Sequence, residues 1–261
     1  MIDLSLTQSL LVRPEGYQLH YVEQIDSTNS ALKRLARSGR AESGYVLIAG
    51  QQTGGRGRLG RSFYSPSATG LYFSFLLKSS ELTVSLDESP ALAAVSAARA
   101  IDQVCGCSTS IKWVNDIYLN DKKIVGILCE GIFLPEEKKP AFIVLGIGIN
   151  VYQPEVGFPE ELVGRAGCAW DKEPQPGLKS RLLATFLNTW EDFNRPEARE
   201  SALRTFREKD YLQGKRVEVT IKGQPHLAYV LGIDNHFRLL VRGDDGQELA
   251  LNQGEASLHT D

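Results

Sequence analysis

Nothing in this 261-residue chain has the cysteine and histidine spacing of a zinc site. Its four cysteines, Cys105, Cys107, Cys129 and Cys168, form no paired ligand motif, and His20, His226, His236 and His259 add none. A chain of this size has no need of disulfide staples, so reduced, mostly buried thiols are expected. A basic excess is missing too. The 29 Lys and Arg stand against 32 Asp and Glu, a formal charge of −3, so no global field draws the chain to nucleic acid or anionic lipid. No apolar run approaches the roughly 18 residues of a spanning helix. The first residues, "MIDLSLTQSLLVRPEG", have no basic leader before an apolar run and do not read as a secretory signal. These absences predict a cytoplasmic protein with no membrane partner. There is also no Walker phosphate loop, internal repeat or low-complexity tract.

What is present is an ordinary globular composition, 42% apolar and 23% charged. "YQLHYVEQI" alternates like a strand. "DSTNSALKRLARSG" reads as a helix, with Ser27 or Thr28 at its cap and Gly39 at its end. "GYVLIAGQQ" and "TGLYFSFLLK" read as strands. "SPALAAVSAARAIDQVCG" is the clearest helix, with Ser89 as its cap and Gly106 closing it. Four strands follow, "TSIKW", "DIYLN", "KIVGILCEG" and "AFIVLGIGINV", with a hairpin turn at "NDKK" (120–123). After a Pro/Gly-rich connection at 152–177 come two helices. From Leu212 the texture changes to short alternating runs, "RVEVTI", "LAYVLGID", "RLLVRG" and "ELALN". The expectation is an α+β fold with a mixed or antiparallel sheet over residues 1–211 and a small antiparallel β-barrel over 212–261.

The most unusual stretch is "GGRGRLGRSFYSPSATG" at 54–70, where Arg56, Arg58 and Arg61 sit among glycines with Phe63 and Tyr64 behind. Gly55, Gly57 and Gly60 make a G-x-G-x-x-G. A dinucleotide fold would require a helix to follow, and "RSFYSPSATG", with Pro66 and Gly70, cannot carry one. A solvated hairpin loop and a phosphate-and-base clamp remain open. So does a mobile loop that folds over a small anion, its guanidinium groups gripping carboxylate or phosphate and its arginines uncompensated until then. Further on, "KWVNDIYLNDKKIVGILCEG" (112–131) gathers Lys112, Asn115, Asp116 and Lys123 around two strands and a tight turn. Asp116 is either a turn residue or a carboxylate able to carry Mg²⁺ for a nucleotide triphosphate. "GIGIN" (146–150) ends a strand with two glycines that permit close ligand approach and the amide of Asn150.

"STN" at 27–29, "QTGGRGRLGR" at 52–61, "KWVNDI" at 112–117, "KKIVGIL" at 122–128 and "GIGIN" at 146–150 resemble, in order and spacing, the motifs of biotin–protein ligases. "GEASL" at 254–258 resembles that family's closing motif, and the likeness runs from about residue 17 to the end. The resemblance implies a catalytic domain of the class II synthetase and biotin ligase kind, a mixed sheet flanked by helices, followed by a Src-homology-3-like barrel. It implies ATP-dependent conversion of biotin to biotinoyl-AMP with Mg²⁺, then transfer to a lysine of a biotin carboxyl carrier protein or domain.

On these residues the resemblance implies catalysis by Arg58, Lys123 and Asp116, with Asp116 as the magnesium position. Biotin would be held by Ser27, Thr28, Asn29, Gln52, Gly55, Arg56, Arg58, Lys123 and Gly126. ATP would meet Arg56, Arg58, Arg61, Phe63, Lys112, Asn115 and Asn150. Hydroxyl and amide groups suit a neutral ureido ring, and fixed positive charge suits the phosphoryl centre. Two departures stand out. Val114 replaces the family's usual Pro in "KWVND", so a less rigid turn is expected. Only about 16 residues precede the first strand, too few for the DNA-binding helix-turn-helix many members carry, so no nucleic-acid partner or repressor activity is expected. An exposed sheet edge could support a homodimer. The alternatives are a lipoate or octanoate ligase or transferase of the same fold, and an arginine-loop nucleic-acid-binding module.

Overall fold

A computed structural model of the chain describes residues 2–133, 139–221, 224–252, 254 and 256–258. In order these form α1 (Leu4–Ser9), β1 (Gln18–Ile25), α2 (Thr28–Arg37), β2 (Tyr45–Gln52), β3 (Gly70–Lys78) and α3 (Ser89–Cys105). Then come β4 (Ser110–Lys112), β5 (Asp116–Leu119), β6 (Lys122–Ile132), β7 (Phe142–Asn150), α4 (Leu178–Phe193) and α5 (Arg199–Glu208). The last part is β8 (Arg216–Ile221), β9 (Gln224–Ile233), β10 (Leu239–Gly243), β11 (Glu248–Leu251) and β12 (Ala256–Leu258).

The first seven strands make one mixed sheet in the order β1-β2-β3-β7-β6-β5-β4, parallel only between β1 and β2. Alternation along β3 explains how it is covered on both faces. Phe73 and Phe75 pack edge-on against Phe186 and Trp190 of α4, while Leu76 packs with Ala31 and Leu32 of α2 on the other side. Truncating Phe186, which is fully buried, would cost about 3–5 kcal/mol. The turn between β5 and β6 is tight because Asn120 and Asp121 both take positive φ, 51° and 60°, a conformation their short polar side chains tolerate.

The last five strands form an antiparallel sheet in the order β11-β10-β9-β8-β12. Its apolar side joins the same core, since Val217, Phe237 and Leu239 cluster with residues of α3 and α5. The indole N–H of Trp113 donates to Phe237 O at 2.8 Å, and Arg207 Nε donates to Ile233 O at 2.8 Å. The small sheet is thereby held beside the β4–β5 turn, at the same end as the arginine loop.

Two details differ from the sequence reading. Ser89 reads as the cap of α3, but the helix begins after Glu88, and the reciprocal bonds belong to Ser85 and Glu88. Ser89 Oγ instead donates back to Ser85 O. The N-terminal lead contains α1, which six residues of weak periodicity do not announce. It is capped by Asp3 and docked on α4 through Ser180 Oγ.

Candidate active site

α2 begins at the edge of the sheet because Ser27, in extended backbone, accepts from Ser30 N and caps it. That fixes Ser27, Thr28 and Asn29 over the sheet, where they line a narrow pocket with Gln52, Arg56, Phe63, Gly126, Leu128, Gly146, Ile147 and Gly148. Glycine is required at two of these positions. A Cβ on Gly146 would lie 1.9 Å from Asn29 Oδ1, and one on Gly148 would lie 2.4 Å from the Phe63 ring. Phe63 rests directly on these strands, and the pocket is drawn down to about 20 Å³, room for roughly one water.

A second, wider cavity of about 130 Å³ adjoins it. Its walls carry Arg56, Arg58, Arg61, Phe63, Lys112, Asn115, Asp116, Lys123 and Gly126, with Gly254, Ala256 and Ser257 from the C-terminal sheet. Lys123 Nζ lies 2.6 Å from Asp116 Oδ1. Arg58 donates to Asn115 Oδ1 at 3.0 Å and to Gly254 O at 3.2 Å, so one guanidinium ties loop, β4–β5 turn and small sheet together. Asn115 is itself held by its amide donating to Ile127 O. The Trp113–Val114 peptide bond is cis. Among the described residues no cluster of three His, Cys, Asp or Glu side chains could hold a metal ion.

Most of the residues picked out from sequence thus line two adjoining cavities, one mainly of hydroxyl, amide and apolar groups with Arg56 as its one charged side chain, the other strongly cationic. Gly55 and Asn150 line neither. Gly55 packs against Phe63 O, where a Cβ would come within 2.3 Å, and the Asn150 amide donates to Gly167 O. Asn29 lines the pocket with its polar atoms turned into the wall: its amide donates to Glu130 Oε2 at 2.9 Å and its carbonyl oxygen lies 2.6 Å from Ser74 Oγ. The arginines are not uncompensated. Arg56 donates to Ser30 Oγ and stands 3.7 Å from Glu130, and Arg58 has the partners given above.

Sequence reasoning missed the supporting set. Glu130 accepts from Lys33 at 2.5 Å and from Asn29. Burial works against its charge, but the hydrogen bonds from Lys33 and Asn29, with the charges of Lys33 and Arg56, hold the carboxyl below its usual range. Ser65 Oγ accepts from Gln52 Nε2 and donates to Phe63 O. Ser74, fully buried, was detectable as the one serine inside the apolar run of β3. Glu130 lies about a hundred residues from its partners and left no local signal. Of the closing motif, Gly254, Ala256 and Ser257 line the wide cavity and Glu255 lies outside the described residues.

Residues 21–150 match the model of the biotin/lipoate A/B protein ligase family. The chain is 34% identical over 182 residues to the bifunctional ligase/repressor BirA of Bacillus subtilis, covering 68% of this chain and 55% of that protein. It therefore spans about half the length of that relative. It is 31% identical to the biotin–[acetyl-CoA-carboxylase] ligase of Mycobacterium tuberculosis, over 91% of this chain and 88% of that protein. The fold matches the biotin protein ligase of Aquifex aeolicus in complex with biotin and ATP, at 28% identity and a TM-score of 0.76, over 94% of this chain and 99% of that one.

Proposed function

The chain belongs to the biotin–protein ligase family, and on that premise we propose that it activates biotin with ATP and transfers the product to a lysine of a biotin carboxyl carrier protein or domain. The observation that carries this reading is the junction of the two cavities, where Arg58 and Lys123 bring fixed positive charge beside a small pocket lined by Ser27, Thr28 and Gln52. A carboxylate entering from the narrow pocket meets the phosphate-binding charges at that junction.

In the first step a biotin carboxylate oxygen attacks the α-phosphorus of ATP and pyrophosphate leaves. In the second, a neutral lysine amine attacks the acyl carbon, AMP leaves with the electron pair of the broken C–O bond, and the nitrogen gives up one proton to solvent. Both steps crowd negative charge around one phosphoryl group, so positioning and fixed cations are the main help a protein can give. Arg58 and Lys123 serve the reacting junction. Arg56, Arg61, Lys112 and Asn115 serve the phosphates, and Phe63 the base or the ring beside it. The small C-terminal sheet supplies Gly254, Ala256 and Ser257 to the wide cavity, which supports a role at the nucleotide end. Asp116 gives one carboxylate, and Mg²⁺ is commonly held by one or two carboxylates plus phosphates, so the fit is to an ion that arrives with the nucleotide. Bound there, Mg²⁺ would neutralise phosphate charge.

The polar pocket favours a ureido ring over the apolar ring of lipoate, because its hydroxyl and amide groups would be left unpaired by the latter. The test is pyrophosphate release with biotin and MgATP, followed by transfer of labelled biotin to a purified carrier domain. Lipoate outperforming biotin, or no pyrophosphate with either, would overturn the assignment.

A further inference from the structure

Behind the narrow pocket runs an unbroken chain of polar contacts that sets which way its hydroxyl protons point. It starts at Glu130, whose carboxylate accepts from Lys33 Nζ and from Asn29 Nδ2 at 2.9 Å. Because Asn29 Nδ2 also donates to Leu128 O at 3.3 Å, the amide orientation is fixed, and Asn29 Oδ1 must face Ser74. That oxygen can only accept, so the single hydrogen of Ser74 Oγ goes to it, across 2.6 Å. Ser74 Oγ is also 2.7 Å from Thr28 Oγ1. With the Ser74 hydrogen spent, only the Thr28 hydrogen can lie between those two oxygens. The competing acceptor for the Thr28 hydrogen is Gln52 Oε1, at the longer distance of 3.1 Å, which also accepts from Thr28 N at 2.9 Å.

The consequence is a pocket of defined polarity. Thr28 has its proton turned inward and offers the ligand lone pairs only. Ser27 is the opposite case: its oxygen is committed to Ser30 N as the helix cap, which leaves its hydrogen for the ligand. Gln52 spends its oxygen on Thr28 and one amide hydrogen on Ser65 Oγ, leaving its second hydrogen. The pocket thus offers two donors and one acceptor side by side, the complement of a carbonyl flanked by an N–H.

We propose that Ser74, which is fully buried and lines neither cavity, is a specificity-determining positioning residue that acts through Thr28, held in its donor state by Asn29 and Glu130. This rests on the biotin reading above and deepens it: the ring must present an N–H to Thr28, and Ser74 enforces the requirement. Losing the Ser74 hydroxyl removes the nearer acceptor of the Thr28 proton and leaves it to be shared between the longer 3.1 Å contact with Gln52 Oε1 and an acceptor on the ligand, so the site should then tolerate an acceptor where it demanded a donor.

The experiment compares biotin with the two cyclic carbamates in which one ring N–H is replaced by oxygen, by calorimetric Kd, in the parent and in Ser74→Ala. In the parent, at least one carbamate should bind about 100-fold or more weakly than biotin, since an oxygen would face the lone pairs of Thr28. In Ser74→Ala, biotin should weaken about tenfold and the gap for that carbamate should shrink below about tenfold. The kcat at saturating biotin and the KM for ATP should stay within about twofold, a split that general loosening of the fold would not give. If the Ala variant does not melt cooperatively, Ser74→Cys, of similar size and a weaker donor, should show an intermediate gap. An unchanged gap in a folded variant overturns the role of Ser74. A parent that ignores biotin overturns the underlying reading instead, so the two failures are separable.

Discussion

Lys123 Nζ stands 2.6 Å from Asp116 Oδ1 across the β5–β6 hairpin, at the wall of the cationic cavity. The two side chains are a fifth to a third exposed, and such pairs contribute about 1 kcal/mol or less to folding. The pair therefore has little structural reason to exist, and a chemical one if Lys123 is released to a developing anion. Replacing Lys123 with Met should leave the melting temperature within a few degrees while pyrophosphate release falls about 100-fold, roughly 3 kcal/mol of lost transition-state stabilisation. Pre-steady-state pyrophosphate release beside a thermal melt decides it. A folded variant releasing at the parent rate would remove Lys123 from the reaction.

Phe63 and Gly148 make a second test. A Cβ at Gly148 would lie 2.4 Å from the ring, and one at Gly126 would lie 2.9 Å from it, so the aromatic side chain sits where only glycine leaves room. In Gly148→Ala the ring must lift, and the added methyl remains on the pocket floor. Biotin affinity should drop at least about tenfold, about 1.4 kcal/mol. Tryptic cleavage at Arg56, Arg58 or Arg61 should become faster because the loop loses its anchor. Unchanged affinity and unchanged cleavage together would mean that Phe63 neither closes the pocket nor holds the loop.

How far the sequence carried can be read from particular residues. Every strand but the three-residue β12, and all the longer helices, follow from alternation, glycine punctuation and the Pro90 start, because those signals are local. The mixed sheet order is non-local: β3 pairs with β7 in a register running from Gly70–Asn150 to Lys78–Phe142, and no short-range pattern specifies that. The cationic residues were legible because an R-G-R loop and a K-W-V-N-D run are unusual chemistry for a mildly acidic protein. Glu130 and Lys33 were not, since each acts on another side chain brought near by the fold, and Ser74 showed only as a serine in an apolar strand, with nothing local to name its partners. Asn150 shows the converse: its place at the end of a glycine-bearing strand suggested a ligand contact, and its amide is engaged by Gly167 O.

Lys179 predicts a pH effect. Its residue is 8% exposed, its ammonium donates to Ala68 O at 2.5 Å and lies 5.8 Å from the centre of the Tyr152 ring, and burial lowers its pKa from 10.5 to about 8. Between pH 8 and 10.5 the unfolded chain holds the proton that the folded one has released, so this group makes stability rise with pH across that window. Below pH 8 the full cost of burying the charge is present. Relative to Lys179→Met, in which the cost is absent, the parent should gain on the order of 3 kcal/mol as pH rises through the window. Urea unfolding of both proteins at steps from pH 7 to 10.5 measures the difference. A difference that stays flat would mean that Lys179 keeps an ordinary pKa.

Charge and geometry are separable at Arg58. Its guanidinium reaches Asn115 Oδ1 at 3.0 Å and Gly254 O at 3.2 Å at once, and a lysine ammonium on a shorter, single-headed stem cannot reproduce that fork. If positive charge alone matters at the junction, Arg58→Lys should keep most of the activity and Arg58→Ala should lose it. If the fork matters, because it brings the C-terminal sheet against the cationic cavity, the lysine variant should also fail. We expect the second pattern: biotin activation down about 30-fold in Arg58→Lys and about 100-fold or more in Arg58→Ala, roughly 2 and 3 kcal/mol. The KM for ATP should rise in both, since Gly254, Ala256 and Ser257 share that wall. Melting temperatures should hardly move, because the sheets are also joined through Trp113, Arg207 and a common core. A lysine variant with the parent's rate and the parent's KM for ATP would show that the contact with Gly254 has no part in the reaction.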